Sequence, residues 1–330
     1  MTIASVLIAN RGEIAIRIAR ACAGLGLRSV AVHSADDANA LHVLRAEEAV
    51  ALPGRGAAGY LDIAAVVAAA KSAGCDAVHP GYGFLSENAD FAEACAAAGL
   101  TFIGPAPDML RLFGDKTAAR ELAAACGVPV LGGSERSSDV ASARAFLASL
   151  GEGGAVMVKA VAGGGGRGMR VARSADELEA AWTRSSSEAK AAFGNGDLYV
   201  EELIGEARHI EVQILGDGRD VVHLGERECT LQRRHQKLVE IAPSPTLSEP
   251  LRARITEAAV AMARKVGYRS LGTFEFLVDA SREDRFVFIE ANPRLQVEHT
   301  VTEAVTGIDL VRSQIRIAAG ASLKDLGLTQ

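Results

Sequence analysis

Short apolar runs alternate with amphipathic stretches over the first hundred residues. Ser5-Val6-Leu7-Ile8-Ala9, Ser29-Val30-Ala31-Val32, Ala77-Val78-His79 and Thr101-Phe102-Ile103 read as buried strands. Residues 13–23 read as a helix, with Ile14, Ile18 and Leu25 near one face and Gly24 and Gly26 closing it. Strands that alternate with helices predict a parallel sheet covered on both faces. The first turn, Asn10-Arg11-Gly12-Glu13, lacks the G-x-G-x-x-G fingerprint. The lobe is therefore Rossmann-like in architecture with no sequence reason to bind NAD.

The rhythm then changes. Residues 105–126 read as helical, broken at Gly114-Asp115. Residues 129–203 hold a strand at Val156-Met157-Val158-Lys159, a glycine cluster, an exposed helix over 176–190 and a strand at Leu198-Tyr199-Val200. That is the size of a small α+β lid. From Arg208 onward, strand signals at 210–214 and 221–224 precede a long helix over 249–266. Two strands follow at 272–278 and 285–291, then a helix over 309–319. This predicts an antiparallel sheet with a helix packed on it. The expected organisation is a Rossmann-like domain over 1–115, a small lobe over 116–203 and a large lobe over 204–330, in an α/β and α+β chain.

The polar positions then become informative. In Glu290-Ala291-Asn292-Pro293-Arg294-Leu295-Gln296-Val297-Glu298-His299, residues Glu290, Asn292, Arg294, Gln296 and Glu298 fall at every second position. Read as an extended segment, they share one side. Two carboxylates, two amides and a guanidinium there need partners, and a divalent metal, a phosphate and a small oxyanion fit. A solvated edge strand is the plainer alternative. Glu275 in Gly-Thr-Phe-Glu-Phe-Leu and Glu290 in Phe-Val-Phe-Ile-Glu are acids embedded in apolar strands. Either a Mg²⁺ bridging them to nucleotide phosphates or a structural ion pair satisfies them, and Asn292 offers a third oxygen on the same side. The glycines at 163–166 follow a strand ending in Lys159 and can present backbone N–H groups to an anion. No Walker pattern is present. The run from Glu226 to Lys237 mixes charges and amides closely, which suits a polar pocket.

Composition narrows the class. The chain has 330 residues, 49% apolar, with a net charge of −6, which argues against a nucleic-acid or membrane footprint. No apolar run is long enough to span a bilayer, and no signal-peptide pattern opens the chain. Five cysteines without C-x-x-C spacing suggest reduced thiols in a cytoplasmic setting.

Taken in order, five motifs resemble the biotin carboxylase members of the ATP-grasp superfamily. They are Ile8-Ala9-Asn10-Arg11-Gly12-Glu13-Ile14-Ala15, His79-Pro80-Gly81-Tyr82-Gly83-Phe84-Leu85-Ser86-Glu87-Asn88, the glycine loop, the segment from Gln232 to Lys237, and that from Arg294 to His299. The resemblance implies that Lys116 and Lys159 contact ATP phosphates and that Gly164, Gly165, Gly166 and Met169 belong to a loop closing over them. It implies adenine at Glu201, Glu202 and Leu203, and His209, Gln232 and His235 around the ribose and nucleotide. Mg²⁺ (or Mn²⁺) would lie at Glu275, Glu290 and Asn292. Bicarbonate would lie among Lys237, Arg294, Gln296 and Val297, with Glu298 as general base and Tyr82 and Gly83 bordering the biotin ureido ring. The implied activity is carboxylation of biotin as the first half-reaction of an acyl-CoA or related carboxylase.

Two local departures stand out, Ala162 before the glycine run and Glu202 where relatives often carry Lys. Family members also continue past position 330 with a segment supplying a further arginine for the biotin enolate and much of the dimer contact. The expectation is an N-terminal piece with reduced turnover and weakened dimerisation. No Met-Lys-Met attachment site occurs, so biotin would arrive on a carrier domain, with a carboxyltransferase domain or subunit completing the parent enzyme. The alternatives are another ATP-grasp ligase, such as a carbamoyl-phosphate synthetase half, and a nucleotide-binding fragment without turnover.

Overall fold

The computed structural model describes residues 3–134, 139–161, 169–234, 236–282 and 284–328. In the N-terminal part, β1 (Ser5–Ile8), α1 (Gly12–Gly24), β2 (Arg28–His33), α2 (Leu41–Arg45), β3 (Glu48–Ala51), α3 (Ile63–Ser72), β4 (Ala77–His79), α4 (Ala89–Ala97) and β5 (Thr101–Phe102) follow one another. The five strands form a parallel sheet in the order β3-β2-β1-β4-β5. Its inner strands are buried on both faces, which is why they read as continuous apolar runs. One face packs on α3 and α4 through Val66, Phe91 and Cys95. The other packs on α1 through Ile14 and Ile18.

Two helices lead out of this sheet, α5 (Pro107–Gly114) and α6 (Lys116–Ala125). The expected break has a local cause: the Asp115 side chain accepts from the backbone N–H groups of Thr117 (2.8 Å) and Ala118 (3.2 Å), capping a new helix. Lys116 is thereby its first residue. A small unit follows, with α7 (Val140–Ser149), β6 (Val156–Ala160), β7 (Arg170–Ala172), α8 (Ala175–Phe193) and β8 (Leu198–Glu202). Its three strands pair antiparallel in the order β7-β6-β8 over a core of Leu147, Val158, Leu178 and Val200.

The last part holds β9 (Ala207–Asp217), β10 (Val221–Arg233), β11 (Gln236–Ile241), α9 (Glu249–Lys265), β12 (Arg269–Asp279), β13 (Phe286–Asn292), α10 (His299–Thr306) and α11 (Leu310–Ala318). Its sheet is antiparallel, ordered β11-β10-β9-β12-β13. Alternation along β9 and β12 separates two faces. Ile210, Val212, Ile214, Phe274, Phe276 and Val278 enter an apolar core with Ile255, Ala259 and Met262 of α9 and Ala119 and Ala123 of α6. His209, Glu211, Gln213, Thr273, Glu275 and Leu277 take the intervening positions. Farther along, Leu215 and Leu271 join α11 and the α1 side of the parallel sheet in a shared core.

The run after Glu290 is not the extended segment its spacing suggested. β13 ends at Asn292, Arg294 is a bend, Val297 and Glu298 form a turn, and α10 begins at His299. Pro293 brings no N–H to the ladder, so pairing stops there. The five cysteines are free, and among the described residues no helix is long and apolar enough to cross a membrane.

Candidate active site

A cavity of about 560 Å³ lies between the small three-stranded sheet and the polar face of the large sheet. Of the residues singled out in the sequence, Lys116, Lys159, Met169, Glu201, Glu202, Leu203, His209, Gln232, Lys237, Glu275, Glu290, Asn292, Arg294, Gln296, Val297 and Glu298 line it. Gly164, Gly165, Gly166, Ala162 and His235 lie outside the described residues. Tyr82 and Gly83 are not in the lining; they sit on the loop after β4, where the Tyr82 hydroxyl bonds Glu13.

The floor is a row of charge across four strands. Arg227 pairs in register with Glu211, Glu211 with Glu275, and Glu275 with Glu290. Like charges directly opposite one another destabilise a sheet, so three neighbouring carboxylates call for compensating charge. Some comes from below: fully buried Arg227 donates to Glu211 (2.5 Å), Gln213 (2.9 Å) and Thr302 (2.6 Å). More comes from Lys237, on the hairpin strand β11. Its ammonium lies 2.5 Å from both Glu211 and Glu298 and 3.3 Å from Glu275. His209 Nε2 adds a contact to Glu275 at 2.5 Å. His209, Glu211 and Glu275 also lie close enough together to hold a metal, but here Lys237, Arg227 and the histidine already balance the two acids.

These contacts set the protonation states. Burial would lower Lys237, but Glu275, Glu211 and Glu298 together push it well above the usual lysine value. Burial would raise Glu298, but the Lys237 charge and hydrogen bond hold it below the usual glutamate value. Glu298 is also the N-cap residue of α10, where the helix end favours an anion. Burial opposes ionisation of Glu275 as well, and the His209 bond and Lys237 charge outweigh it. His209 is raised: the Glu275 hydrogen bond and charge overcome desolvation. Burial pushes Glu211 up. The arrangement presents an ionised, buried Glu298 beside a persistent cation.

Arg294 is held at the mouth by Asn292 Oδ1 (3.0 Å), the Leu295 carbonyl (3.3 Å) and an ion pair with Glu87 (3.4 Å). Gln296 Nε2 donates to Glu275 (3.1 Å), and Asn292 Nδ2 does so at 2.7 Å. The turn thus brings together the residues that a strand was expected to align. At the far wall, Glu201 pairs with both Lys159 and Arg120, and Glu202 pairs with Arg285 at 2.7 Å. Lys116 Nζ stands 3.7 Å from Glu290. Glu275, Glu290 and Asn292 are all hard oxygen donors. Glu275 and Glu290, opposite each other in the ladder, fit a Mg²⁺-type cation whose charge would take over part of what Lys237 and His209 supply to Glu275 and Lys116 to Glu290.

Four neighbours of the site were given no role of their own from the sequence: Glu211, Arg227, Arg120 and Glu87. Glu211 carries the signal that marked Glu275, an acid between apolar strand residues. Arg120 reaches a partner 81 positions away and has no local signal, and Glu87, though inside the motif from His79 to Asn88, has nothing local that points to Arg294.

An antiparallel sheet with a smaller sheet closing a cleft rich in cations and oxygen donors, behind a Rossmann-like domain, defines an ATP-grasp protein. Comparisons agree with that class. A family model described as "Carbamoyl-phosphate synthase L chain, ATP binding domain" matches residues 115–326, and one described as "Biotin carboxylase, N-terminal domain" matches residues 2–110. The chain is 45% identical to a Campylobacter jejuni biotin carboxylase solved as a β,γ-ATP complex, with a TM-score of 0.92, covering 98% of this chain and 72% of that one. It is also 45% identical to the biotin carboxylase domain of Hydrogenobacter thermophilus 2-oxoglutarate carboxylase, a dimer with MgADP, ADP and bicarbonate (TM-score 0.92, covering 98% and 71%). Mouse mitochondrial pyruvate carboxylase is 54% identical over 99% of this chain, which spans 28% of that protein's length. The chain belongs to the biotin carboxylase family.

Proposed function

We propose that this chain carries out ATP- and bicarbonate-dependent carboxylation of biotin, the first half-reaction of a biotin-dependent carboxylase. The observation that carries the reading is the Lys237–Glu298 pair at 2.5 Å beside Arg294. It supports a site in which an anion sits between a guanidinium and an ammonium while an ionised carboxylate is within reach of its proton. Arg294 holds planar bicarbonate by two parallel N–H donors, which a lysine cannot do. Glu298 accepts the bicarbonate proton. The freed oxyanion attacks the γ-phosphorus of ATP, the β–γ bond breaks, and carboxyphosphate and ADP form. Carboxyphosphate breaks into CO₂ and phosphate. Phosphate takes the N1 proton of biotin, and that nitrogen bonds to CO₂.

Lys116, Lys159 and Arg120 supply positive charge along the phosphates. For Lys159 and Arg120 this means exchanging their shared partner Glu201 for the nucleotide. Glu275, Glu290 and Asn292 would hold Mg²⁺ (or Mn²⁺), which neutralises charge on the transferring phosphoryl oxygens when bound. Glu201, Glu202 and Leu203 form the adenine wall. Glu202 is compatible with that role because its carboxylate is turned to Arg285.

A carrier domain for biotin and a carboxyltransferase are the partners the half-reaction requires. The named relatives include a pyruvate and a 2-oxoglutarate carboxylase. The proposal is therefore limited to the step before the acceptor, an acyl-CoA or a related compound, is chosen. The test is ADP release from Mg-ATP and bicarbonate, with and without free biotin, in the native chain and in Glu298→Ala. Biotin-stimulated release that vanishes in the variant supports the reading. Release indifferent to biotin points to another ATP-grasp ligase, and tight ATP binding without release to a nucleotide-binding unit.

A further inference from the structure

The motif around Asn10 and the one around His79 contribute nothing to the cavity lining, yet they meet at one place. β1 and β4 are adjacent parallel strands, with Ile8 in register with His79. In the strand order β3-β2-β1-β4-β5, the connections reverse direction between these two, and the carboxyl ends of such strands form a ligand crevice. The segment Pro80 to Phe84 covers that end. Its backbone is unusual: Gly81, Gly83 and Phe84 have φ of 66°, 66° and 42°. Glycine takes that left-handed conformation without strain, so Phe84 alone is the costly position, and a turn with two glycines needs its neighbours to fix its shape.

Two buried side chains do this. Asn10, 3% exposed, donates from Nδ2 to the carbonyls of Pro80 and Tyr82, both at 2.8 Å. Its Oδ1 accepts from the Arg11 N–H at 2.9 Å, so the amide is fixed at both ends. His79, fully buried, accepts the Gly81 N–H at Nδ1 (3.0 Å), which leaves its ring proton on Nε2. Burial holds the ring neutral, with a pKa lowered to about 3. A Cβ at Gly81 would sit 2.9 Å from Asn10 Nδ2, so the turn and its anchor are in close contact. At Gly83, by contrast, a Cβ would meet nothing within 4 Å. The turn is tight on its anchored side and open on the other. Its far end carries Glu87, which meets Arg294.

We propose that Asn10 and His79 are positioning residues that hold the Gly81-Tyr82-Gly83 turn in the one shape that receives the ureido ring of biotin. This rests on the reading of Tyr82 and Gly83 as the acceptor border. The anchors act through backbone atoms of the turn and touch neither nucleotide nor bicarbonate residues. Losing them weakens biotin binding and leaves nucleotide binding intact.

The test is a titration of the whole chain, with Mg-ADP and bicarbonate present, by free biotin followed at backbone amide resonances. It needs no turnover. Asn10→Ala is expected to weaken biotin about tenfold, the worth of roughly one buried hydrogen bond, with ADP affinity unchanged. In His79→Gln, exchange of the Gly81 amide with solvent is expected to accelerate, with the same split between biotin and ADP. This variant decides the matter should Asn10→Ala not fold. Tyr82→Ala is run in parallel. If Tyr82→Ala keeps full biotin affinity, or the native chain shows none, the acceptor border is misread and the proposal falls with it. If Tyr82→Ala weakens biotin while the anchor variants do not, or if they weaken ADP equally, the proposal alone is overturned.

Discussion

The parallel sheet and the antiparallel sheet of this chain use their residues in opposite ways. In the parallel sheet the inner strands are apolar on both faces, so no side chain within β1 is free for chemistry. Its polar residues, Asn10 and His79, stand at the strand ends and act on a turn. In the antiparallel sheet one face is given to α9 and the other to Glu211, Gln213, Thr273 and Glu275. Burying that face is tolerable only because Arg227 and Lys237 compensate it. A polar sheet face therefore demands a charge network, whereas a glycine turn at the strand ends demands buried side chains that fix its backbone.

The contrast breaks first at Arg227. Arg227→Met leaves Glu211 buried without its main partner and is expected to cost about 3–5 kcal/mol, read by urea unfolding. Arg111→Met, which removes exposed ion pairs to Asp90 and Glu93 beside the parallel sheet, is expected to leave the unfolding midpoint within error. Similar losses from both would erase the distinction.

Lys237→Met tests the same network by rate. A hydrogen bond to a charged group is worth roughly 1.5–3 kcal/mol, so ADP release is expected to fall about 10–100-fold. The pH profile is the sharper readout. In the proposed mechanism ionised Glu298 is the active form, and Lys237 holds its pKa below the usual glutamate value against the opposing effect of burial. Without that cation burial dominates, and the acid limb moves to higher pH. An unmoved limb means that Lys237 does not set the base.

At the strand ends the expected effect is smaller and conformational. Gly81→Ala forces a side chain into a left-handed backbone and against Asn10, at about 1–2 kcal/mol, with no change in the pH profile.

The smallest effect belongs to His209. Its folded pKa lies above its ordinary value, so its stabilisation is full below about pH 6.5 and fades as pH rises through the folded value. His209→Gln is therefore expected to lose more stability at pH 6 than at pH 9. Equal losses would mean that the Glu275 contact does not depend on the imidazolium.

Much of this was legible before the fold was seen, for reasons that differ by region. The apolar runs at 5–9 and 77–79 and the alternation along Gly272–Val278 follow from burial on two faces or one. The start of α6 is written in Gly114-Asp115, because an aspartate can cap what a glycine interrupts. The polar side chains from Glu290 to Glu298 do line one cavity, but the backbone that carries them is not the extended segment expected from their spacing. Pro293 was the overlooked signal, since a ladder does not continue through a residue without an N–H. The hairpin that carries Lys237 to three carboxylates was read only as a dense polar run, since its charged residues mask the strand pattern. The Glu201–Arg120 and Glu87–Arg294 pairs depend on how the domains pack, which no local spacing encodes.

The central claim is that bicarbonate, deprotonated at Glu298, is the nucleophile toward ATP. The direct measurement is the fate of oxygen: bicarbonate labelled with ¹⁸O is supplied in unlabelled water with Mg-ATP, and the released phosphate is weighed by mass spectrometry. The account predicts one bicarbonate oxygen in the phosphate from the native chain and loss of that labelled product in Glu298→Gln. Phosphate that takes its oxygen from water instead would contradict it.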